Sequence, residues 1–205
     1  MLDNGKMRSF WAKRIDPVAN SLLKIGITPD AITIFGASVA CLISFVFIGQ
    51  GSFLVGGIAL SLAGLSDLLD GTMARLSNTA GPWGAFLDST LDRVVDGAIY
   101  GSLIFYYVNA DVMNQKLIVA LMIGLISAQI TSYTRARWES LGVRGKVGLV
   151  ERSERMIVLC TGFILTGLGF DVLATLIYFL AVASKITVIQ RILFARKSLK
   201  PQSAQ

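Results

Sequence analysis

The sequence predicts an all-α polytopic membrane protein, six transmembrane helices preceded by an N-terminal amphipathic interfacial helix. Three observations predict it. Of the 205 residues, 54% are hydrophobic and only 16% are charged, a balance too apolar for a soluble domain of this length. The mean hydropathy is +0.65. Residues 31–49 (AITIFGASVACLISFVFIG) carry no charge and can cross a hydrocarbon core of about 30 Å. Helices are expected because a spanning helix satisfies its own backbone polar groups in lipid.

The elements follow in order. Residues 7–24 (MRSFWAKRIDPVANSLLK) put Phe10, Trp11, Ile15, Val18, Leu22 and Leu23 roughly on one face and Arg8, Lys13 and Arg14 elsewhere. That pattern fits a helix lying on a membrane surface; a helix packed on the protein is the alternative. Six spans are then expected at roughly 30–49, 52–76, 83–109, 115–138, 154–170 and 172–195. The last two are separated by a tight turn, GLGFD. The division is an interfacial segment (1–29), a six-helix membrane domain (30–197) and a polar tail (198–205).

Lys and Arg set the orientation. Lys6, Arg8, Lys13, Arg14 and Lys24 at the start, Arg75 before the 77–82 loop, and Arg196 and Lys197 at the end fall on one side. So do Arg135, Arg137, Arg144, Lys146, Arg152 and Arg155 around the 139–153 loop, whereas the loops of the other side hold only Lys116. Both termini are therefore expected in the cytoplasm, in a multi-pass protein of the cell membrane. The net charge of +6 is explained by this asymmetry, and no nucleic-acid motif accompanies it. There is no histidine, which removes His-based acid–base chemistry, Ser-His-Asp triads and His metal ligands. Cys41 and Cys160 lie inside apolar segments, so no disulfide framework follows. No cleavable signal peptide is expected.

Against this background, DLLDGTMARLSNTAGPWGAFLDSTLD (67–92) sets four carboxylates into apolar helices. Asp67 and Asp70 are i, i+3 and share a face, with the small residues Gly71 and Ala74 on that side. Asp88 and Asp92 are i, i+4, with Gly84 one turn earlier. The connecting loop is short, so the two spans are antiparallel neighbours and the carboxylates face one another. Four unpaired charges there are very costly, and Arg75 and Arg93 are too few to neutralise them. Carboxylate donors without His or Cys suit a hard divalent cation such as Mg²⁺ or Mn²⁺, and two bridged ions suit phosphoryl chemistry. The alternatives are helix-terminal carboxylates reaching water or interfacial arginines, and an ion pathway. Asp96, one turn past Asp92, stands behind the carboxylates or supports the fold.

The spacing D-x₂-D-G-x₂-A-R-x₈-G-x₃-D-x₃-D, carried by Asp67, Asp70, Gly71, Ala74, Arg75, Gly84, Asp88 and Asp92, resembles the signature of the CDP-alcohol phosphotransferases. The six-span layout is similar too, so the likeness covers nearly the whole chain. The resemblance implies transfer of a substituted phosphate from a CDP-linked donor to an alcohol, with release of CMP. It implies that Asp67, Asp70 and Asp88, with Asp92, ligate two divalent ions, and that Asp92 is also the general base. On the donor side it implies Asp67, room for the nucleotide at Gly71 and Ala74, donor phosphates at Arg75 and close approach of cytidine at Gly84. The segment TPDAIT (28–33) resembles the donor-side segment of the family, which implies nucleotide contacts for Pro29, Asp30 and Thr33.

Arginines recur on the same side: Arg135 and Arg137 in SYTRARWE, Arg152 and Arg155 in ERSERMIV, and Arg191. Guanidinium groups bind phosphate through charge-assisted, often bidentate bonds, so their convergence suggests a phosphorylated acceptor; lipid-headgroup anchoring is the alternative for each. Tyr133, Arg137, Arg144, Gly145, Glu151, Arg152, Glu154 and Arg155 further resemble the actinobacterial phosphatidylinositol phosphate synthases. This implies CDP-diacylglycerol and inositol 1-phosphate as substrates, with Arg135, Arg155 and Arg191 holding the acceptor phosphate. Rivals are a phosphatidylglycerophosphate synthase using glycerol 3-phosphate, a membrane cation transporter, and a scaffold without chemistry. Small-residue faces suit a homodimer.

Overall fold

The structure, a computed structural model, describes residues 5–110 and 113–199, and the side chains of these from residue 15 onward. The side chains of Phe10 and Trp11, part of the expected interfacial face, and residues 200–205 of the polar tail lie outside the described residues. Every element among the described residues is helical: α1 (Gly5–Lys24), α2 (Pro29–Val46), a 3₁₀ turn (Ile48–Gln50), α3 (Phe53–Ala63), α4 (Ser66–Leu76), α5 (Pro82–Asn109), α6 (Gln115–Ser140), α7 (Arg152–Gly167) and α8 (Leu173–Leu199).

Local chemistry sets the starts. Thr28 caps α2 by accepting from the Ala31 N–H at 3.2 Å, and Pro29 follows with its preset φ. Asn114 caps α6 in the same way, accepting from Leu117 N–H at 3.1 Å. A capping box joins Glu151 and Glu154 at the start of α7.

Four stretches are long and apolar enough to cross a membrane: Pro29–Gln50, Phe53–Leu76, Gln115–Ser140 and Leu173–Leu199. These make the chain a multi-pass membrane protein. Helices also occupy the other two stretches expected to span, but these are not among the four and differ in character. Helix α5 has the length, at 28 residues, yet its first turns carry Asp88, Asp92, Arg93 and Asp96. Helix α7 has 16 residues, about 24 Å at 1.5 Å per residue. The second expected span is also not one regular helix. Between α3 and α4 the backbone tightens, with Leu65 N–H donating to Leu62 O at 3.0 Å and Leu68 N–H to Leu65 O at 3.1 Å, an i, i+3 pattern in place of i, i+4. This turn sets the direction in which α4 presents Asp67 and Asp70.

Helix α6 packs on α8, α3 on α7, and α2 on α5. Ile99, Leu103, Leu121, Leu159, Phe163 and Leu180 form the centre of the core, while Phe35, Leu42, Phe45, Phe105, Val119 and Val182 face outward. An apolar exterior of this extent suits lipid rather than water. The buried hydroxyls of Ser44, Ser102 and Thr187 bond to carbonyls of their own helix, as Ser44 does to Ala40 O at 2.7 Å, so they cost little inside, whereas those of Thr131 and Ser184 are buried without a partner. Small residues permit the closest approaches: Gly36 of α2 stands against Ser66 of α4. At Gly57 of α3 an added Cβ would lie 2.8 Å from the Phe163 Cβ and 3.1 Å from the Ile164 backbone nitrogen. Gly57→Ala is therefore expected to destabilise the α3–α7 contact by about 1–3 kcal/mol, the usual range for overpacking, read as a lower thermal midpoint in detergent.

Antiparallel packing brings the starts of α2, α5 and α7, the end of α6 and the last third of α8 to one end of the bundle, together with α4. The candidate site is there.

Candidate active site at one end of the bundle

Asp67 and Asp70 come from α4, and Asp88 and Asp92 from α5. Asp70 is buried at 8% exposure, and Thr33 Oγ1 of α2 donates to its Oδ2 at 2.6 Å. Asp67 and Asp92 meet an arginine that the spacing did not single out as their partner. Arg152, at the start of α7, places Nη1 3.3 Å from Asp67 Oδ2 and Nη2 2.8 Å from Asp92 Oδ1. Arg93 adds a looser contact, Nη2 to Asp92 Oδ2 at 3.8 Å.

Among the described residues, no three His, Cys, Asp or Glu side chains stand as a ready-made metal cluster. The donor set nonetheless fits a hard divalent cation, being composed of carboxylates alone. The Arg152 guanidinium, held between Asp67 and Asp92, demonstrates that positive charge is accommodated at that point.

Two cavities meet here. The first is lined largely by apolar and small residues, among them Gly36, Ala37, Ala40, Leu60, Leu91, Val95 and Met156, with Thr33, Asp67, Asp88, Asp92 and Arg152 at its polar part. The second, of about 430 Å³, is polar and lined by Ser89, Asp92, Arg93, Thr131, Ser132, Arg135, Glu139, Glu151, Arg152, Ser153, Arg155 and Arg191 together with two alanines. Among the described residues, only Asp92 and Arg152 line both.

The expected donor-side residues are placed unevenly. Thr33 and Asp67 line the apolar cavity, beside the expected metal ligands Asp88 and Asp92, whereas Pro29, Asp30, Gly71, Ala74, Arg75 and Gly84 line neither. Asp30 Oδ2 accepts from the Trp83 indole N–H at 2.8 Å, which ties the start of α2 to the start of α5. Arg75 Nη2 donates to Thr72 Oγ1 at 2.8 Å. Two of the glycines are uncrowded, Gly84 facing open space and Gly71 facing only the end of the Arg75 side chain. Nothing stands within 4 Å of a Cβ added at Gly84, and at Gly71 the nearest atom is Arg75 Nη1 at 3.5 Å.

The three expected acceptor arginines all line the polar cavity, in different states. Arg135 is exposed and pairs with Glu139 of its own helix at 2.9 Å. Arg191 is 3% exposed. Its Nε donates to Val147 O at 2.8 Å, its Nη1 to Thr131 O at 2.6 Å, and its Nη2 lies 3.5 Å from Glu151 Oε1. It therefore clasps the loop before α7. Arg155 is 1% exposed, and its Nη2 lies 2.7 Å from Asp96 Oδ2.

The contacts of Arg152 with Asp67 and Asp92, of Arg93 with Asp92 and of Glu151 with Arg191, and the Arg155–Asp96 pairing, were not read from the sequence. A signal existed for two of them. Arg152 and Arg155 are i, i+3 and Asp92 and Asp96 are i, i+4, so each set occupies one helical face.

Comparison with known proteins agrees with this geometry. The profile of the CDP-alcohol phosphatidyltransferase family matches residues 26–187. A phosphatidylinositol phosphate synthase of Mycobacteroides abscessus is 40% identical over 194 residues, which cover 93% of this chain and 87% of that protein. The crystal structure of the Mycobacterium tuberculosis phosphatidylinositol phosphate synthase with CDP-DAG bound is similar at a TM-score of 0.86 and 33% identity, covering 95% of this chain and 98% of that one. The structure of the same enzyme in complex with manganese and citrate has a TM-score of 0.85 at 33% identity, covering 93% and 92%.

Proposed function

The chain belongs to the CDP-alcohol phosphatidyltransferase family, and from that premise we propose that it transfers the phosphatidyl group of CDP-diacylglycerol to inositol 1-phosphate and releases CMP. The observation that carries this reading is the junction of the two cavities at Asp92 and Arg152. One cavity, narrow at about 30 Å³, has the apolar lining that a lipid-linked donor calls for. The other is rich in guanidinium groups and suits a phosphorylated acceptor. A carboxylate stands where the two substrates meet.

Asp67, Asp70, Asp88 and Asp92 would hold divalent ions, two Mg²⁺ or Mn²⁺ in this reading. The relative in complex with manganese supports a divalent ion. When bound, such ions neutralise the pyrophosphate and the charge on the departing CMP. The chain's own residues do the rest. Asp92 accepts the proton of the acceptor hydroxyl as its oxygen attacks the lipid-side phosphorus. The new O–P bond forms, the bridging P–O bond breaks, and its electron pair leaves with CMP. Thr33 keeps the Asp70 carboxylate oriented through its 2.6 Å bond. Pro29, Asp30, Thr33, Asp67, Gly71, Ala74, Arg75 and Gly84 form the nucleotide side, where the open space at Gly84 supports room for the ligand. Arg135, Arg155 and Arg191 receive the acceptor phosphate.

The reading includes six spans, with α5 and α7 crossing among the four more apolar stretches. It places the interfacial segment at 1–29, the membrane domain at 30–197 and the tail at 198–205. The excess of Lys and Arg at the site end supports a cytoplasmic site in the cell membrane, and the small-residue faces leave room for a homodimer.

The test is CMP release by the full chain in detergent with CDP-diacylglycerol and Mg²⁺, with inositol 1-phosphate, glycerol 3-phosphate, free inositol or no acceptor. Release dependent on inositol 1-phosphate is expected. Release with glycerol 3-phosphate alone would keep the chemistry and overturn the acceptor. Silence with every acceptor, with Mn²⁺ also tried and folding verified, would move the aspartates towards ion transport or structure.

A further inference from the structure

Helices α5 and α7 are joined by two arginine–aspartate pairs of matched spacing. The outer pair is Arg152 with Asp92, Nη2 to Oδ1 at 2.8 Å, its side chains 25% and 15% exposed. The inner pair is Arg155 with Asp96, Nη2 to Oδ2 at 2.7 Å, both side chains 2% exposed. They differ in what they face. Arg152 also reaches Asp67 and lines both cavities. Arg155 lines the polar cavity alone, and Asp96 lines neither.

We infer that Asp96 is a positioning residue for the acceptor: it holds the Arg155 guanidinium in the wall of the polar cavity, in fixed register with Asp92 one turn away on α5. The inference rests on the acceptor reading above. Four residues of helix separate the two carboxylates, about 6 Å of rise. The helix that carries the base thus also carries the anchor of the phosphate-binding arginine. An arginine side chain is long and rotamer-rich, and an acceptor meeting an unanchored one would lose affinity to ordering it. Anchoring from behind removes that loss.

Stability alone is a poor account of the pair. A buried ion pair is commonly matched or exceeded by apolar residues of the same volume. Here Arg155 Nε is buried without a hydrogen-bond partner, a further cost. The other cavity arginines are committed differently. Arg191 spends its donors on Val147 O, Thr131 O and Glu151, Arg135 is tied to Glu139, and Arg93 Nη1 donates to Ser89 O at 2.8 Å. Arg155 has its anion behind the wall rather than in it.

The experiment compares wild type, Asp96→Asn, Asp96→Glu, Arg155→Ala and the double variant Asp96→Asn/Arg155→Ala, each as the full chain in detergent. It reads KM for each substrate, kcat, and direct binding of inositol 1-phosphate by calorimetry. Asp96→Asn is expected to raise KM for inositol 1-phosphate about tenfold or more, with KM for CDP-diacylglycerol changed less than about twofold. Asp96→Glu keeps the charge and misplaces it by one methylene, so an intermediate rise is expected. The double variant is expected to be no worse than Arg155→Ala, since the two residues act as one unit. If Asp96 only balanced charge, Asp96→Asn would lower stability and kcat with acceptor KM and binding unchanged, Asp96→Glu would keep wild-type acceptor KM and binding, and the neutral double variant would recover stability. That result overturns the inference. Should Asp96→Asn fail to fold, Asp96→Glu with wild-type acceptor KM overturns it equally. Wild-type protein that neither binds nor uses inositol 1-phosphate would instead overturn the acceptor reading, and this inference with it.

Discussion

Asp92→Asn is expected to lower turnover by about 10²–10⁴-fold, the usual contribution of a positioned general base, with CMP release at saturating substrates as the measurement. Asparagine keeps the size and one oxygen of the side chain but cannot take a proton from the acceptor hydroxyl. Asp92 lines both cavities, so no other carboxylate has the same access to both substrates. Metal binding is expected to persist in the variant through Asp67, Asp70 and Asp88. It can be followed by Mn²⁺ titration of the purified protein. Loss of its contact with Arg152 at 2.8 Å leaves that guanidinium with Asp67 at 3.3 Å, so the helix ends remain linked. Full turnover in Asp92→Asn would remove the base from this residue.

Chelation is expected to abolish CMP release to background, and added Mg²⁺ or Mn²⁺ to restore it. Four carboxylates close to a doubly charged pyrophosphate repel one another strongly in a medium of low dielectric, and the arginines that touch them, Arg152 and Arg93, neutralise only part of that charge. Arg152 serves Asp67 and Asp92, while Asp70 has a neutral partner in Thr33. Divalent ions supply the remaining charge and stabilise what develops on the leaving group. The measurement is CMP release after exhaustive EDTA treatment and stepwise addition of each ion. Undiminished release at metal concentrations below detection would overturn metal dependence and return the aspartates to a structural role.

What the sequence alone determined follows from local periodicity. Apolar runs specify helices whatever they pack against, because lipid demands internally paired backbones. The spacings of Asp67 with Asp70 and of Asp88 with Asp92 place each pair on one face. The expected packing of their helices on each other is not what the structure shows: despite the short loop, α4 packs on α1 and α2 rather than on α5. Residues 67–92 thus showed which carboxylates stand near this end, and the Lys and Arg distribution its arginine-rich character, while α2 brings Asp67, Asp88 and Asp92 to one cavity.

Tertiary structure alone decided the partners. Asp67 and Arg152 are 85 residues apart, and Arg155 and Asp96 are 59 apart. No periodicity spans such distances; which side chains meet depends on how α5 and α7 are held by α2, α3, α6 and α8. The tight turn between α3 and α4 was hidden for a related reason, since its residues, Gly64 and Leu65, keep helical dihedrals and read as ordinary members of one apolar run. Arg191 likewise reads from the sequence as a free phosphate-binding group. Packing against the loop that ends at Glu151 gives it structural bonds as well, because a guanidinium buried at 3% exposure must find acceptors for its donors.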